Sequence, residues 1–435
     1  MSTGSLQARA EGWLGNNDVR LLIALALAIG GLYALFSVVL GFQLNGTVNT
    51  LRRVAFLSAI YAMLALALNL QWGYAGLFNL GAAGFMAIGV YTMGILTAPV
   101  TASPPGFGLP LPVAIVGAIL VTGIIGGLAA LPAIRLRADY LAIVTVAFSE
   151  IVRLTLRAPE FANTRIAGVA FGTGGATGLS LPSNPIRVLF YTDPATTAPA
   201  PNALGAAIFS AVEPLGIEET LVIGWAYVIV LCLCLGLLYW LMIRIGKSPF
   251  GRVLKSIRED QQVTQALGKD TRLFKIKTFA LGCALMGLIA IFWRLSGGYA
   301  SPRMFKPIQT FYIFIALFIG GTGSPTGSIV GGALFASLLF EGPSFIRRVV
   351  AEYLQLSNAP DTLVSALAEL GTLDVTPLLA YSVQDVSISA LRLMLLGIVL
   401  VYLMQRHPDG LLGHRKAIAS SVALSQQATR EDDNE

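Results

Sequence analysis

Charge is what this sequence has least of. Only 12% of its 435 residues are Asp, Glu, Lys or Arg, about half the ~25% usual in soluble globular chains. With 55% hydrophobic residues and a mean hydropathy of +0.73, that shortage excludes a soluble enzyme, a disordered chain and a nucleic-acid-binding domain. The net charge of +6 is therefore read as membrane topology, not as affinity for nucleic acid. Histidine and cysteine are almost absent too. The two histidines, His407 and His414, have no Cys or carboxylate cluster around them, so no metal site is expected. The three cysteines, Cys232, Cys234 and Cys283, all lie inside apolar runs. They are read as small core residues and not as a disulfide framework. No nucleophile–base pair falls within the apolar runs, so the chain is not expected to be an enzyme. The Gly-rich stretch 320–328 has no Gly-Lys-Ser/Thr, which excludes a P-loop, and no cofactor is expected.

What is present is long apolar sequence. The runs are Leu21–Phe42, Val54–Leu70, Gly81–Ala98, Pro112–Leu136, Tyr140–Leu156, Leu221–Met242, Thr278–Ile291, Phe311–Gly320, Gly327–Phe340 and Ile388–Met404. A helix needs roughly 20 apolar residues to cross a ~30 Å hydrocarbon core, so the expected fold is an all-α polytopic bundle of about nine or ten spans. Several runs are short or interrupted by Gly and Pro, which a bilayer tolerates only where neighbouring helices or a cavity satisfy the backbone. The first run is too long for a signal core and reads as an uncleaved span, preceded by a cytoplasmic segment, residues 1–20.

Orientation follows from Lys and Arg in the loops. Nine basic residues against three acidic ones between Arg244 and Lys277 make 244–277 a cytoplasmic loop. Arg406, Arg415 and Lys416 put the C-terminus on the same side, and alternation puts the N-terminus there. The loop 158–218 and the segment 342–383 then lie outside, the latter with amphipathic helical spacing in Phe345–Leu356 and Leu363–Leu370. Arg52 and Arg53 break this pattern, and Arg153 and Arg157 sit at an outer end. Residues 414–435 are polar, end in acid and are expected to be disordered. The membrane-embedded body is thus expected to be 21–413, in the cell (inner or plasma) membrane.

Four constellations stand out. Ser248-Pro249 is an N-cap followed by a first-turn proline, and Gly268 a stop, so Arg252–Leu267 is expected to form one helix of about four turns. Such a helix either docks a soluble partner or merely links two spans. In Asn69–Gly84 the polar Asn69, Gln71 and Asn79 interrupt apolar sequence, with Trp72 and Tyr74 among glycines. This is either a broken helix exposing backbone to a ligand or an interfacial loop with an aromatic belt. Glu150 and Arg153 are spaced to pair on one helix face. Gly123/Gly127 and Gly327/Gly331 have the spacing for close helix crossings.

Gly251-Arg-Val-Leu-Lys-Ser-Ile-Arg-Glu-Asp260 followed by Ala266-Leu-Gly268 resembles the cytoplasmic loop of ABC-importer permeases for branched-chain amino acids, the LivM type. Four further blocks agree in the same order: Leu136–Thr145 with Ser149–Arg153, Thr173–Ser180, Gly320–Gly327 through Gly331, and Pro408–Gly413. The resemblance runs from about residue 54 to 413. The 187–218 insertion, 342–383 and the acidic tail depart from it. It implies a permease paired with a homologous second permease, two cytoplasmic ATPase subunits and an external substrate-binding protein. It also implies that the loop couples to the ATPases through Arg252, Arg258, Glu259, Asp260, Ala266 and Gly268. Asn69, Trp72, Gly76, Asn79, Glu150, Gly321 and Gly323 would line the translocation pathway, with Glu150–Arg153 a structural pair. A permease for urea or short amides, and an ion-coupled transporter using Glu150, stay open as alternatives.

Overall fold

The structure is a computed structural model describing residues 18–133, 138–166, 169–193, 199–345, 360, 362–368, 375–383, 385–406 and 409–412. The tail 414–435, His407, most of Phe345–Leu356, and residues 1–17 lie outside the described residues. In chain order the helices are α1 (Asp18–Val39), α2 (Leu44–Asn69, continued by a π turn Leu70–Tyr74), α3 (Ala82–Thr97), α4 (Leu111–Ala133) and α5 (Ala138–Arg157). After a cap come α8 (Glu219–Lys247), α9 (Pro249–Glu259), α10 (Gln261–Ala266), α11 (Thr271–Leu295), α12 (Ile308–Gly320) and α13 (Pro325–Leu334, continued by a π turn to Glu341). Then follow the short α14 (Leu363–Ala368), α15 (Thr376–Val383) and the long α16 (Asp385–Arg406). Among the described residues six helices are long and apolar enough to cross a membrane: α1, α2, α4, α8, α11 and α13 with its π turn. α3, α12 and α16 hold shorter apolar stretches, and α5 packs on α3 and α4. The protein is an all-α, multi-pass bundle, as its composition predicts.

The centre of the bundle is α2, whose residues from Ala59 to Leu70 are all at most 3% exposed, and which packs against α8, α11, α12 and α13. Close approach there depends on small residues, as expected for spans that gain nothing from burying apolar surface against each other. A Cβ on Gly331 would meet Gly320 Cα at 2.8 Å, and one on Gly327 would meet Gly320 O at 2.6 Å. The Gly327/Gly331 expectation is therefore a real α12–α13 contact. At the other predicted pair the tightest position is Gly126, whose Cβ would meet Cys283 Cβ at 2.7 Å; Gly123 and Gly127 pack at 3.4 and 3.6 Å on Ala284 and Ala280.

The bundle has two distinct ends. α2 begins near α8's start, where Asn45 donates to Gly216 O at 2.8 Å, and finishes at the far end beside Met242 and Gly246. The first is the cap end, the second the basal end. The described residues of 158–218 are folded and not an open loop. It contains a hairpin, β1 (Thr164–Ile166) with β2 (Val169–Phe171), and a strand β3 (Leu179–Ser180) paired antiparallel to β4 (Tyr299–Ala300). It also holds α6 (Arg187–Phe190) and α7 (Ala203–Val212). In the glycine-rich stretch Thr173–Ser180, Gly178 has φ +89° and lies 2.8 Å, as a built Cβ, from Ser301 Cα. No other residue fits that turn.

Two expectations are corrected. Arg252–Leu267 is two helices. Asp260 is extended (φ −150°, ψ 111°), ends α9, and caps α10 by accepting from Gln262 N and Val263 N at 2.8 and 3.0 Å. The side chain that reads as one more polar residue of a helix face is thus the N-cap of the next helix. Replacing Asp260 by Ala is expected to fray α10 by about 0.5–2 kcal/mol, seen as faster amide exchange over 261–266 with α9 unchanged. Of the cysteines only Cys283 is buried; Cys232 is exposed on the outer face of α8. An apolar exterior that faces lipid hides the difference between core and surface from composition.

Candidate functional site at the basal end

Three elements converge at the basal end, two of them breaks in helical structure. The first is in α2, where the helix widens into the π turn Leu70–Tyr74 and then stops at Ala75 and Gly76. Extra-residue turns of this kind are sites where a helix presents backbone groups it normally hides. The second is the turn Gly321–Ser324 between α12 and α13, with Gly321 at φ +112° and Gly323 at φ +85°; Ser324 caps α13 through Gly327 N at 3.0 Å. The third is α9, held across the break in α2.

Buried polar side chains tie these pieces together. Asn69 Oδ1 accepts from Gly323 N at 2.7 Å, joining α2 to the glycine turn. Gln71 Nε2 donates to Phe279 O at 2.9 Å, joining it to α11. Asn79 Nδ2 donates to Gln71 Oε1 at 3.0 Å, while Asn79 Oδ1 accepts from Gly81 N at 2.9 Å. All three amides are at most 1% exposed and each is hydrogen-bonded, which is what burial of an amide requires. Cys283 Sγ lies within 3.5 Å of Gln71 Nε2. Trp72 is half-buried, its ring 4.7 Å from Phe78, which in turn meets Phe314 edge-on at 4.9 Å.

Two cations reach from α9 into this knot. Arg258 Nη1 donates to Gly73 O, the carbonyl released by the π turn. Lys255 is 4% exposed; its Nζ donates to Gly246 O at 2.8 Å and lies 5.5 Å from the centre of the Tyr74 ring. Burial first, and the neighbouring Arg258 second, push the Lys255 ammonium pKa below its ordinary value. Small residues permit this approach. Arg258 Cγ would be 3.4 Å from a Cβ on Gly76, which has φ +67°, and Gly246 leaves room for the Tyr74 hydroxyl. The fit ties α9 to the ends of α2 and α8 by charge-assisted hydrogen bonds, which are stronger than neutral ones.

The outward side of the loop differs. Arg252, Glu259, Asp260, Ala266 and Gly268 are exposed, and α10 turns Val263 and Leu267 outward at 57% and 73% exposure. Arg258, expected to face outward, points into the bundle; its other contact is Glu259 Oε1 at 3.7 Å. Lys255 likewise lies inside, although its position on the helix reads as solvent-facing. Of the residues singled out in sequence, Asn69, Trp72, Gly76, Asn79, Gly321 and Gly323 therefore gather at one place with Arg258. Glu150 does not join them. It pairs with Arg153 on α5, which packs on α3, α4 and the turn Pro302–Phe305. Gln71 and Tyr74, part of the Asn69–Gly84 stretch that reads in sequence as a broken helix, belong to the site as well, and Lys255 joins them. Glycines opposite make room: Gly282 faces Gln71, and Gly246 faces the Tyr74 hydroxyl. Among the described residues no group of His, Cys, Asp and Glu could hold a metal ion.

The high-affinity branched-chain amino acid transport system permease protein LivM of Escherichia coli (strain K12) is 32% identical over 290 residues, 67% of this chain and 62% of that protein. LivM of Salmonella typhimurium is 31% identical over 282 residues, covering 65% and 61%. A probable LivM of Methanocaldococcus jannaschii is 25% identical over 300 residues, covering 62% and 75%. The chain spans less than two-thirds of the length of the two enterobacterial relatives. No solved structure matches. Residues 50–346, from the cap end of α2 through the glycine turn to the end of α13, match the model of one family: the chain belongs to the permease components of branched-chain amino acid transport systems.

Proposed function

We propose that this chain is the transmembrane permease subunit of an ATP-driven importer for neutral, branched-chain amino acids. Its basal end faces the cytoplasm and both termini lie there, in keeping with the nine basic residues of 244–277. Two separate ATPase subunits hydrolyse ATP and dock on the loop. A homologous second permease completes the pathway, and an external binding protein delivers the amino acid to the cap end. Alternating access follows when ATPase closure pushes α9 and α10 as a rigid piece. The observation that carries this reading is the two-sidedness of the loop: Arg258 binds α9 to the broken end of α2 and Lys255 binds it to the end of α8, while Val263 and Leu267 face away. Exposed apolar side chains on a short capped helix suit packing against a soluble partner, and a surface ion pair there contributes only ~0–1 kcal/mol.

The test is uptake of labelled leucine into vesicles holding this chain with its ATPases and binding protein. Leucine uptake that requires ATP and drops at least tenfold in Val263→Asp/Leu267→Asp, with assembly of the permease unchanged, supports both substrate and docking face. Uptake without ATPases returns attention to Glu150 as an ion-coupling group. Urea uptake with leucine ignored keeps the architecture and changes the substrate.

A further inference from the structure

We propose that the cap end carries a headgroup site for an anionic phospholipid. A cavity of about 730 Å³ opens there between the start of α2, the start of α8, the end of α11 and the segment Asn184–Tyr191. Four guanidinium groups line it: Arg52, Arg53, Arg187 and Arg294. They come from three separate stretches of chain, Arg52 and Arg53 being neighbours at the start of α2. One has a carboxylate, since Arg53 Nε lies 2.9 Å from Glu341 Oε1. Of two further acids nearby, Glu219 accepts from the Tyr191 hydroxyl at 2.8 Å and Glu218 from the Thr220 hydroxyl at 3.2 Å.

The remaining three cations are answered weakly. Arg52 donates to Asn49 Oδ1 at 2.8 Å, and Arg187 lies over the Tyr191 ring at 5.6 Å. Arg294 lies over Trp293 at 4.3 Å; the acceptor it meets among the described residues is a thioether, Met304 Sδ at 3.0 Å, and its Nε is buried with no partner. A guanidinium carries five N–H donors, and cations brought together away from bulk water are costly until an anion completes them. Phosphate is the oxyanion that accepts two N–H donors from one guanidinium and has oxygens left for the next.

The position of the cavity selects a lipid as the source of that phosphate. Trp293 lines it at the end of α11, a spanning helix, where such rings sit at headgroup depth. The adjoining insertion is apolar on its outside. Val188, Leu189, Leu204 and Leu215 are 53–62% exposed, while Phe190 and Phe209 stack inward with ring centres 5.7 Å apart. A surface of that kind rests in the acyl–headgroup boundary and puts Arg187 beside lipid phosphates. A zwitterionic headgroup would bring a second cation among the guanidinium groups, so the site selects a lipid whose phosphate has no balancing ammonium. Arg52 and Arg53, which break the charge pattern of the loops, gain a purpose on that side of the membrane.

The experiment uses the full chain purified in a neutral maltoside detergent and titrated with dioctanoyl phosphatidylglycerol, dioctanoyl phosphatidylcholine, inorganic phosphate or leucine, binding being followed by calorimetry. Phosphatidylglycerol should bind at least tenfold more tightly than phosphatidylcholine. That preference should vanish in Arg52→Gln/Arg294→Gln and fall at least threefold in Arg187→Gln, whose surface position spares the fold, with Lys269→Gln at the basal end unchanged. Equal binding of the two lipids, or a preference that survives both variants, overturns the proposal. So does inorganic phosphate binding as tightly as the lipid, which makes this a free-anion site, or leucine displacing the lipid, which makes it an amino-acid carboxylate site.

Discussion

Valine at position 331 is expected to abolish the folded subunit. The Cβ alone would stand 2.8 Å from Gly320 Cα and closer still to Gly320 N and Ala316 O. These are backbone atoms of a helix that cannot rotate away, so α12 and α13 must part along their whole crossing. Overpacking in a well-filled core costs about 1–3 kcal/mol, and a clash with backbone belongs at or above the top of that range. The subunit stands on ~5–15 kcal/mol in all, and separating α12 from α13 also pulls Asn69 off Gly323. Fluorescence-detected gel filtration and thermal unfolding in detergent measure the effect. The matched control is Gly236→Val on α8, where nothing lies within 4 Å and no change is expected. An unchanged melting temperature for Gly331→Val would mean that the two helices do not cross as described.

The second large effect concerns transport and leaves the fold in place. Removing the Arg258 guanidinium strips the hydrogen bond from Gly73 O and detaches α9 from the π turn. A hydrogen bond to a charged group contributes about 1.5–3 kcal/mol, too little to unfold the bundle, since Leu254 and Ile257 still anchor α9 with at most 4% exposure. Arg258→Ala is therefore expected to melt within a few degrees of wild type. In the reconstituted importer, leucine uptake should fall at least tenfold while ATP hydrolysis continues, so that cycles run without transport. Arg258→Lys should recover part of the uptake, because a point charge reaches the carbonyl without the planar fork. Uptake and hydrolysis falling together would instead place Arg258 in ATPase docking.

Much of this architecture was legible in the sequence because spans, caps and small-residue contacts are local. Ser248-Pro249 marks the start of α9, Gly320–Gly327 marks a turn, and Gly331 marks a crossing, each from a few neighbouring residues. What was hidden depends on the surroundings. Asp260 is indistinguishable in sequence from a polar position on one long helix until the chain is seen to extend there. Lys255 looks like a surface lysine; only Gly246 and Tyr74, distant in sequence or on another helix, give its ammonium a place to go. Cys232 and Cys283 sit in equally apolar sequence, yet one faces out of the bundle and the other touches Gln71. A soluble protein would separate them by polarity. Here both sides of a helix are apolar, so periodicity loses its sign. The gathering of Asn69, Gly76, Asn79 and Gly323 is predicted as a group, and the hydrogen bonds that tie it together, Asn69 with Gly323 and Asn79 with Gln71, are visible only with the two breaks side by side.

The glycine contacts also decide how this molecule can be cut into mechanical parts. Gly89 lies against Gly287, Gly84 against Ser149, Gly332 against Ala62 and Gly331 against Gly320, each at backbone distance. Surfaces that interlock at that range act like meshed teeth: one cannot slip past another without first lifting clear. They weld α3, α5 and α11 into one casting and α2, α12 and α13 into another. α1 is different, with only 11% of its apolar stretch buried and a groove of about 760 Å³ between it and α2, α8 and α13. Motion that respects the welds carries each casting whole, with α1 as a thinly packed panel pinned to the second by Tyr33 and Ser337.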